Sequence, residues 1–221
     1  MRQRLADYRV FWREFRQAYH TTGAVLPSGR GLCRALAHFV RASPVAANGS
    51  IDGAPRRILE VGPGTGAVTT RIAHDMRPTD RLTLVERNEQ FVEHLRKQLQ
   101  TLPAFEHVRD RITLVHSSLE DLPDSEPFDL IVSGLPLNNF SVELVDSLLT
   151  KMQKLLAPDG VLSFFEYVAI RRAKAMVSPR ADRERLRGIE QVLGNLLRDS
   201  EIRRDMVLAN VPPAWVHHVR M

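Results

Sequence analysis

The stretch EVGPGTGAVT, Glu60 to Thr69, constrains this chain more than any other part of it. An apolar run suited to a buried strand, RILEVG at 57–62, leads into it, and an amphipathic run at about 66–76 leads away. Gly62, Gly64 and Gly66 let the backbone turn sharply and come close to a ligand. The helix that follows presents N–H groups with no partner inside the helix. A strand, a glycine loop and a helix in that order open a βαβ unit, and the texture repeats downstream. Strands are expected at 57–62, 81–86, 111–116, 128–134 and 160–168, with helices at about 66–76, 88–101 and 141–156. DMVLANV (205–211) and PAWVHHVR (213–220) read as two closing strands joined at Pro212 and Pro213. His217 and His218 alternate along the second of these, which predicts one ring facing in and one facing out. The predicted class is α/β, a seven-stranded mostly parallel sheet with helices on both faces.

Two acids frame the glycine loop. Glu60 stands two residues before Gly62, and Glu86 ends the second predicted strand, 24 residues after Gly62. A carboxylate at that strand end can hold a ribose diol through two charge-assisted hydrogen bonds. The pattern points to a nucleoside-containing cofactor. Gly62, Gly64 and Ala67 also satisfy the looser dinucleotide spacing, so spacing alone does not name it.

ILEVGPGTGAVT resembles the cofactor motif of the class I (Rossmann-like) S-adenosylmethionine-dependent methyltransferases, over roughly residues 57–168 and the closing strand pair. The resemblance implies S-adenosyl-L-methionine as cofactor. It assigns Glu60, Gly62, Pro63, Gly64, Thr65 and Gly66 to the methionine end, Glu86 to the ribose, and Arg87 to the adenine side. In HSSLEDL (116–122), Ser118 and Leu119 fall where that family contacts the adenine amine, and Ser133 closes the set. TGAVLPSG (22–29) resembles a stretch that covers the cofactor in the ribosomal RNA adenine dimethylases, which places Leu26 and Ser28 over it.

SGLPLNNF (133–140) resembles the Asn-Leu-Pro-Tyr motif of amino-group methyltransferases. Gly134 replaces the asparagine, Leu135 and Pro136 are kept, and Leu137 replaces the tyrosine. A site without that amide or ring is poorly made for a flipped base, whereas an aliphatic amine needs neither. With NVPPAWV (210–216), the whole chain resembles the bacterial phospholipid N-methyltransferases, which convert phosphatidylethanolamine stepwise to phosphatidylcholine. The resemblance implies Leu135, Pro136, Glu166 and Tyr167 at the reacting amine, with the last two able to take its proton. Asn138, Asn139 and Arg30 would meet the headgroup, and Tyr8 and Tyr19 a methylammonium cation. Adenine N6-methylation of nucleic acid and a non-catalytic membrane adaptor are the alternatives. The absence of the asparagine, the tyrosine and a separate substrate domain disfavours nucleic acid as a partner.

Charge is unevenly spread. Arg2, Arg4, Arg9, Arg13 and Arg16 outnumber Asp7 and Glu14 at the start of the chain. Arg171, Arg172, Lys174, Arg180, Arg183, Arg185 and Arg187 outnumber Asp182 and Glu184 between 168 and 187. Of the overall +5, nothing positive is left for the remainder, so two basic patches face a polyanionic partner. In LADYRVFWREFRQAY (5–19), Leu5, Phe11, Trp12 and Phe15 form a helical stripe, with Arg9, Arg13 and Arg16 mostly elsewhere on the wheel. Such a helix suits the surface of an anionic bilayer. Burying each large apolar side chain contributes roughly 1.5–3 kcal/mol, and each arginine about 1 kcal/mol.

The expected organisation is membrane-binding or lid helices over 1–42, with Ser28 capping a helix at 29–42, then a linker over 43–56. A methyltransferase domain follows over 57–221, with a basic helical insertion at about 170–204. Cys33 alone cannot form an internal disulfide, and the eight histidines include no H-x-x-x-H pair, so no metal is expected. No run approaches the ~18 apolar residues of a membrane span, and no signal peptide is evident. The expected location is cytoplasmic, peripheral to the inner face of the plasma membrane, with no obligate protein partner.

Overall fold

The computed structural model describes residues 29–41, 55–124, 126–168, 180–210 and 212–221. In chain order the elements are α1 (Arg30–Leu36), α2 (His38–Arg41), β1 (Arg57–Val61), α3 (Ala67–Asp75), β2 (Arg81–Glu86), α4 (Glu89–Thr101) and β3 (Ile112–His116). There follow β4 (Phe128–Ser133), α5 (Val142–Leu155), β5 (Leu156–Tyr167), α6 (Arg180–Ser200), β6 (Glu201–Val207) and β7 (Ala214–Arg220). Side chains start two of the helices. Asn88 Oδ1 accepts from the N–H of Gln90 (2.9 Å) and Phe91 (3.3 Å), and Ser141 Oγ accepts from Leu144 (3.4 Å).

One seven-stranded sheet runs in the order β3-β2-β1-β4-β5-β7-β6. The first five strands are parallel, and β7 runs antiparallel to both β5 and β6. Strand order reverses between β1 and β4, and a crevice opens there beyond the strand ends. Helices cover both faces, which is why the central strands are apolar runs rather than alternating ones. On one face α5 and α6 bury Leu144, Leu148, Met152, Ile189 and Leu193 against Leu59, Ile131, Leu162 and Phe164. On the other, α1 and α3 bury Leu32, Leu36 and Ile72 against Ile58, Leu82 and Val132. Residues 30–41, grouped by sequence with the opening segment, are thus packed on the sheet. A buried pair secures them: Arg56 Nη2 lies 2.5 Å from Asp80 Oδ2 and donates to Val40 O at 2.8 Å.

Four sequence expectations change. The helix expected over 29–42 breaks at Ala37, and its N-cap is Gly29, not Ser28. β5 begins at Leu156 rather than 160. The closing strand expected at 205–211 runs instead from Glu201 to Val207, so the helical stretch ends at Ser200. As the outermost strand it buries only Val207 fully, and its apolar pattern is correspondingly faint. Finally, both His217 (2% exposed) and His218 (0%) are buried. They do face opposite sides, but β7 is an interior strand and both sides are covered.

Candidate functional site

The glycine loop runs between the ends of β1, β2 and β4. Gly62, Gly64 and Gly66 all take positive φ (67°, 56° and 81°), a conformation other residues adopt only with strain. Gly62 N donates to Val85 O (3.0 Å), and Gly134 N donates to Val61 O (2.9 Å). The two backbones approach so closely that a Cβ on residue 134 would sit 2.6 Å from Gly62 O. A Cβ on residue 62 would meet Leu135 Cδ2 at 2.5 Å. Position 134 therefore excludes the asparagine of the related motif on steric grounds alone.

Both acids are buried at this junction. Glu86 Oε2 accepts from Gly64 N (3.1 Å) and Oε1 from Asn88 N (2.8 Å), tying the loop to the end of β2. Burial pushes its carboxyl above the usual range, and those amides oppose the shift. Glu60 is fully enclosed, and neither of its oxygens has a hydrogen-bond partner among the described residues. Burial, reinforced by the charge of Glu86, pushes it up to about 8, with Thr69 acting the other way. Such a carboxyl suits a cationic group brought in by a ligand. The crevice beside it is lined by Val61, Gly62, Val85, Glu86, Arg87, Ser117, Ser118, Leu119 and Leu135. Ser118 spends its hydroxyl on Asp121 (2.7 Å), Leu119 is buried, and Ser133 Oγ accepts from Leu135 N at 3.4 Å. Pro63 is buried under the loop and Thr65 is half-buried.

The opposite wall follows β4. Leu137 and Asn138 are buried in a short turn, Pro136 is half-buried and Asn139 is exposed. Asn138 Nδ2 donates to Tyr167 O (3.3 Å), so its amide fastens the turn to β5. Arg185 of α6 donates from Nη1 to the carbonyls of Asn138 and Phe140, both at 2.8 Å. β5 ends at Glu166 and Tyr167, beside that turn. Burial raises the hydroxyl of the half-buried Tyr167. Arg30 is exposed on the first turn of α1. Leu5, Tyr8, Arg9, Phe11, Trp12, Arg13, Phe15, Arg16, Tyr19, Leu26 and Ser28 lie outside the described residues. Sequence reasoning missed Arg185: one arginine in a basic helix carries no sign that it reaches a turn some 45 residues earlier.

A family described as a methyltransferase domain matches residues 58–160. The 1,6-didemethyltoxoflavin-N1-methyltransferase of Burkholderia thailandensis, solved with S-adenosylhomocysteine, superposes with a TM-score of 0.67. It is 19% identical, over 98% of this chain and 89% of that one. The fold is that of the class I S-adenosylmethionine-dependent methyltransferases, and S-adenosylmethionine is the cofactor. Among other methyltransferases, the magnesium protoporphyrin IX methyltransferase of Synechocystis, with S-adenosylmethionine bound, gives a TM-score of 0.60 at 15% identity, covering 94% of this chain and 95% of that one. An ornithine lipid N-methyltransferase of Singulisphaera acidiphila is 29% identical over 133 residues, 58% of this chain and 69% of that protein. The residues present fit the cofactor: Glu60 for an ammonium, Glu86 for a diol, and apolar walls at Val85, Leu119 and Leu135 for a flat base.

Proposed function

We propose that the chain methylates the amine of phosphatidylethanolamine and its mono- and dimethyl derivatives at an anionic membrane surface. The observation that carries this reading is the acceptor rim. Gly134, Leu135, Pro136 and the buried Leu137 offer neither side-chain amide nor ring, which suits a slender aliphatic amine better than a base. The likeness to an ornithine lipid N-methyltransferase supports a lipid amine. It also favours a second reading, in which the acceptor is an ornithine lipid.

In this reading Glu60 and the 62–66 backbone, with Pro63 and Thr65, hold the methionine end, Glu86 takes the ribose hydroxyls, and Arg87, Ser118 and Leu119 flank the adenine. The cofactor, when bound, supplies an electrophilic methyl group on its sulfonium. Leu135, Pro136 and Ser133 shape a desolvated approach for the amine, and the chain contributes mainly orientation. The amine must lose its proton before it attacks, and Glu166 is placed to receive it. Asn139 and Arg30 are assigned to the headgroup, Tyr167 to the proton beside Glu166, and Asn138 to positioning the turn. Residues 5–19 bring the enzyme to the surface, and Tyr8 and Tyr19 are assigned to the methylammonium cation. Among the described residues no helix is long and apolar enough to cross a membrane, which is compatible with peripheral attachment at the inner leaflet.

The test uses methyl-labelled S-adenosylmethionine with vesicles of phosphatidylethanolamine, vesicles of ornithine lipid, and RNA. Label on phosphatidylethanolamine is the expected result. Label on ornithine lipid alone selects the second reading, and label on RNA with none on lipid overturns both.

A further inference from the structure

The chemistry above leaves the buried imidazoles of His217 and His218 without a role, and the first of them lies beside Glu166. His217 lies between two carboxylates, with Nδ1 2.7 Å from Glu201 Oε1 and Nε2 3.5 Å from Glu166 Oε1. Phe164 stacks on its ring at 5.3 Å between centroids, which holds the plane of the imidazole. The two acids differ in access. The Glu166 side chain is 9% exposed at the acceptor rim, whereas that of Glu201 is 22% exposed on the outermost strand. Arg204 stands opposite His217 in the ladder, but its guanidinium lies over Trp215, 5.0 Å from the ring centroid. A chain of titratable groups thus leads from the rim of the crevice, across one face of the sheet, to solvent.

We propose that His217 passes the acceptor's proton from Glu166 to Glu201, as a positioning residue behind the base. The proposal rests on the reading of the acceptor as an amine. A substrate ammonium carries one proton too many to react. Its N–H breaks as an O–H forms on Glu166. That O–H breaks as an N–H forms at Nε2 of His217, and the Nδ1–H is lost to Glu201, which releases the proton to water. The freed lone pair forms the new N–C bond while the C–S bond breaks and its electrons stay on sulfur. One proton leaves per transfer, and nothing is oxidised or reduced.

His217→Gln keeps polar contacts toward both acids but cannot relay a proton. The variant should fold and bind S-adenosylmethionine within about twofold of wild type, with an unchanged KM for the lipid. Its kcat should fall about 10- to 100-fold near neutral pH, and the deficit should narrow in alkali as hydroxide deprotonates the amine. An unchanged kcat in the folded variant overturns the relay. Glu166→Gln separates the two claims: if it abolishes turnover while His217→Gln does not, the relay fails and the amine reading stands. A wild type inactive on both lipid vesicles sinks that reading. The relay is then judged by the nitrogen NMR shifts of the His217 imidazole in the full chain, a readout that also serves if His217→Gln does not fold. Nδ1 should respond to Glu201→Gln and Nε2 to Glu166→Gln, and a ring indifferent to both substitutions overturns the proposal.

Discussion

The half of the crevice assigned to the cofactor and the half assigned to the acceptor are built differently. In the first, β1, the glycine loop, α3 and β2 follow one another, and the key bond joins Gly64 to Glu86, 22 residues apart. Its polar inventory is left incomplete, since Glu60 has no partner among the described residues. In the second, the turn after β4 is held by Arg185 and by Tyr167, respectively 47 and 29 residues from Asn138. Its carbonyls and amide are already used. One half is poised for a ligand to finish it, whereas the other is finished by remote parts of the chain. The cofactor should therefore tolerate little change near its own loop, while the acceptor can be retuned from a distant helix.

The largest effect is expected at the seam between the halves. Gly134→Ala drives a Cβ into the Gly62 carbonyl, and overpacking of this kind costs about 1–3 kcal/mol. Melting temperature and cofactor affinity by calorimetry should both drop, and a variant that binds like wild type would mean the seam is soft. Gly64→Ala, where a Cβ meets nothing within 4 Å, should show only the strain of its positive φ.

Glu60→Gln should weaken cofactor binding about tenfold or more, the loss of one charged hydrogen bond, yet stabilise the unliganded protein in alkali. The sign follows from a carboxyl raised from 4.5 to about 8. The folded chain keeps a proton that the unfolded chain has lost, so stability falls as pH rises through that window. Cofactor binding to wild type near neutral pH should accordingly release protons, read as a buffer-dependent binding enthalpy. No buffer dependence would remove Glu60 from the ammonium site.

Arg185→Ala should leave cofactor affinity within about twofold and lower kcat/KM for the acceptor about tenfold, the loss of bonds from a charged donor. Equal losses on both sides would erase the distinction between the halves.

The smallest effect on the site belongs to His218, which donates or accepts at Ser163 Oγ (2.7 Å) and faces Asp205, with His38 and Arg203 nearby. Burial pushes it from 6.5 down to about 4. The unfolded chain takes up a proton first, so stability is lost as pH falls through that range, by up to about 3 kcal/mol. His218→Gln should flatten the acid limb of the melting curve while turnover at neutral pH changes little.

What could be read from the residues follows the same divide. RILEVG and RLTLVE lie in one βαβ unit, and the ends of their strands carry Glu60 and Glu86, so order along the chain already implied proximity. Ile189 and Leu193, four residues apart on α6, pack together on one core face. The start of β6 was not legible, because an edge strand reading EIRRDMV buries one side chain fully and shows almost no alternation. The burial of both histidines depends on β7 being interior, a property of sheet order that no local pattern encodes. Glycine at 134 looked like a lost asparagine until the Gly62 carbonyl was seen to occupy the space.

The placement of β7 also imposes a schedule on the growing chain. β6 is synthesised before β7, yet among the described residues its only neighbour in the sheet is β7. Strands β1 to β5 are complete by then, and domains begin to fold as they are synthesised. The residues assigned to the cofactor are therefore synthesised before His217, which reaches Glu166 only with β7. The proposed relay is completed by the strand that slides into the gap between β5 and β6.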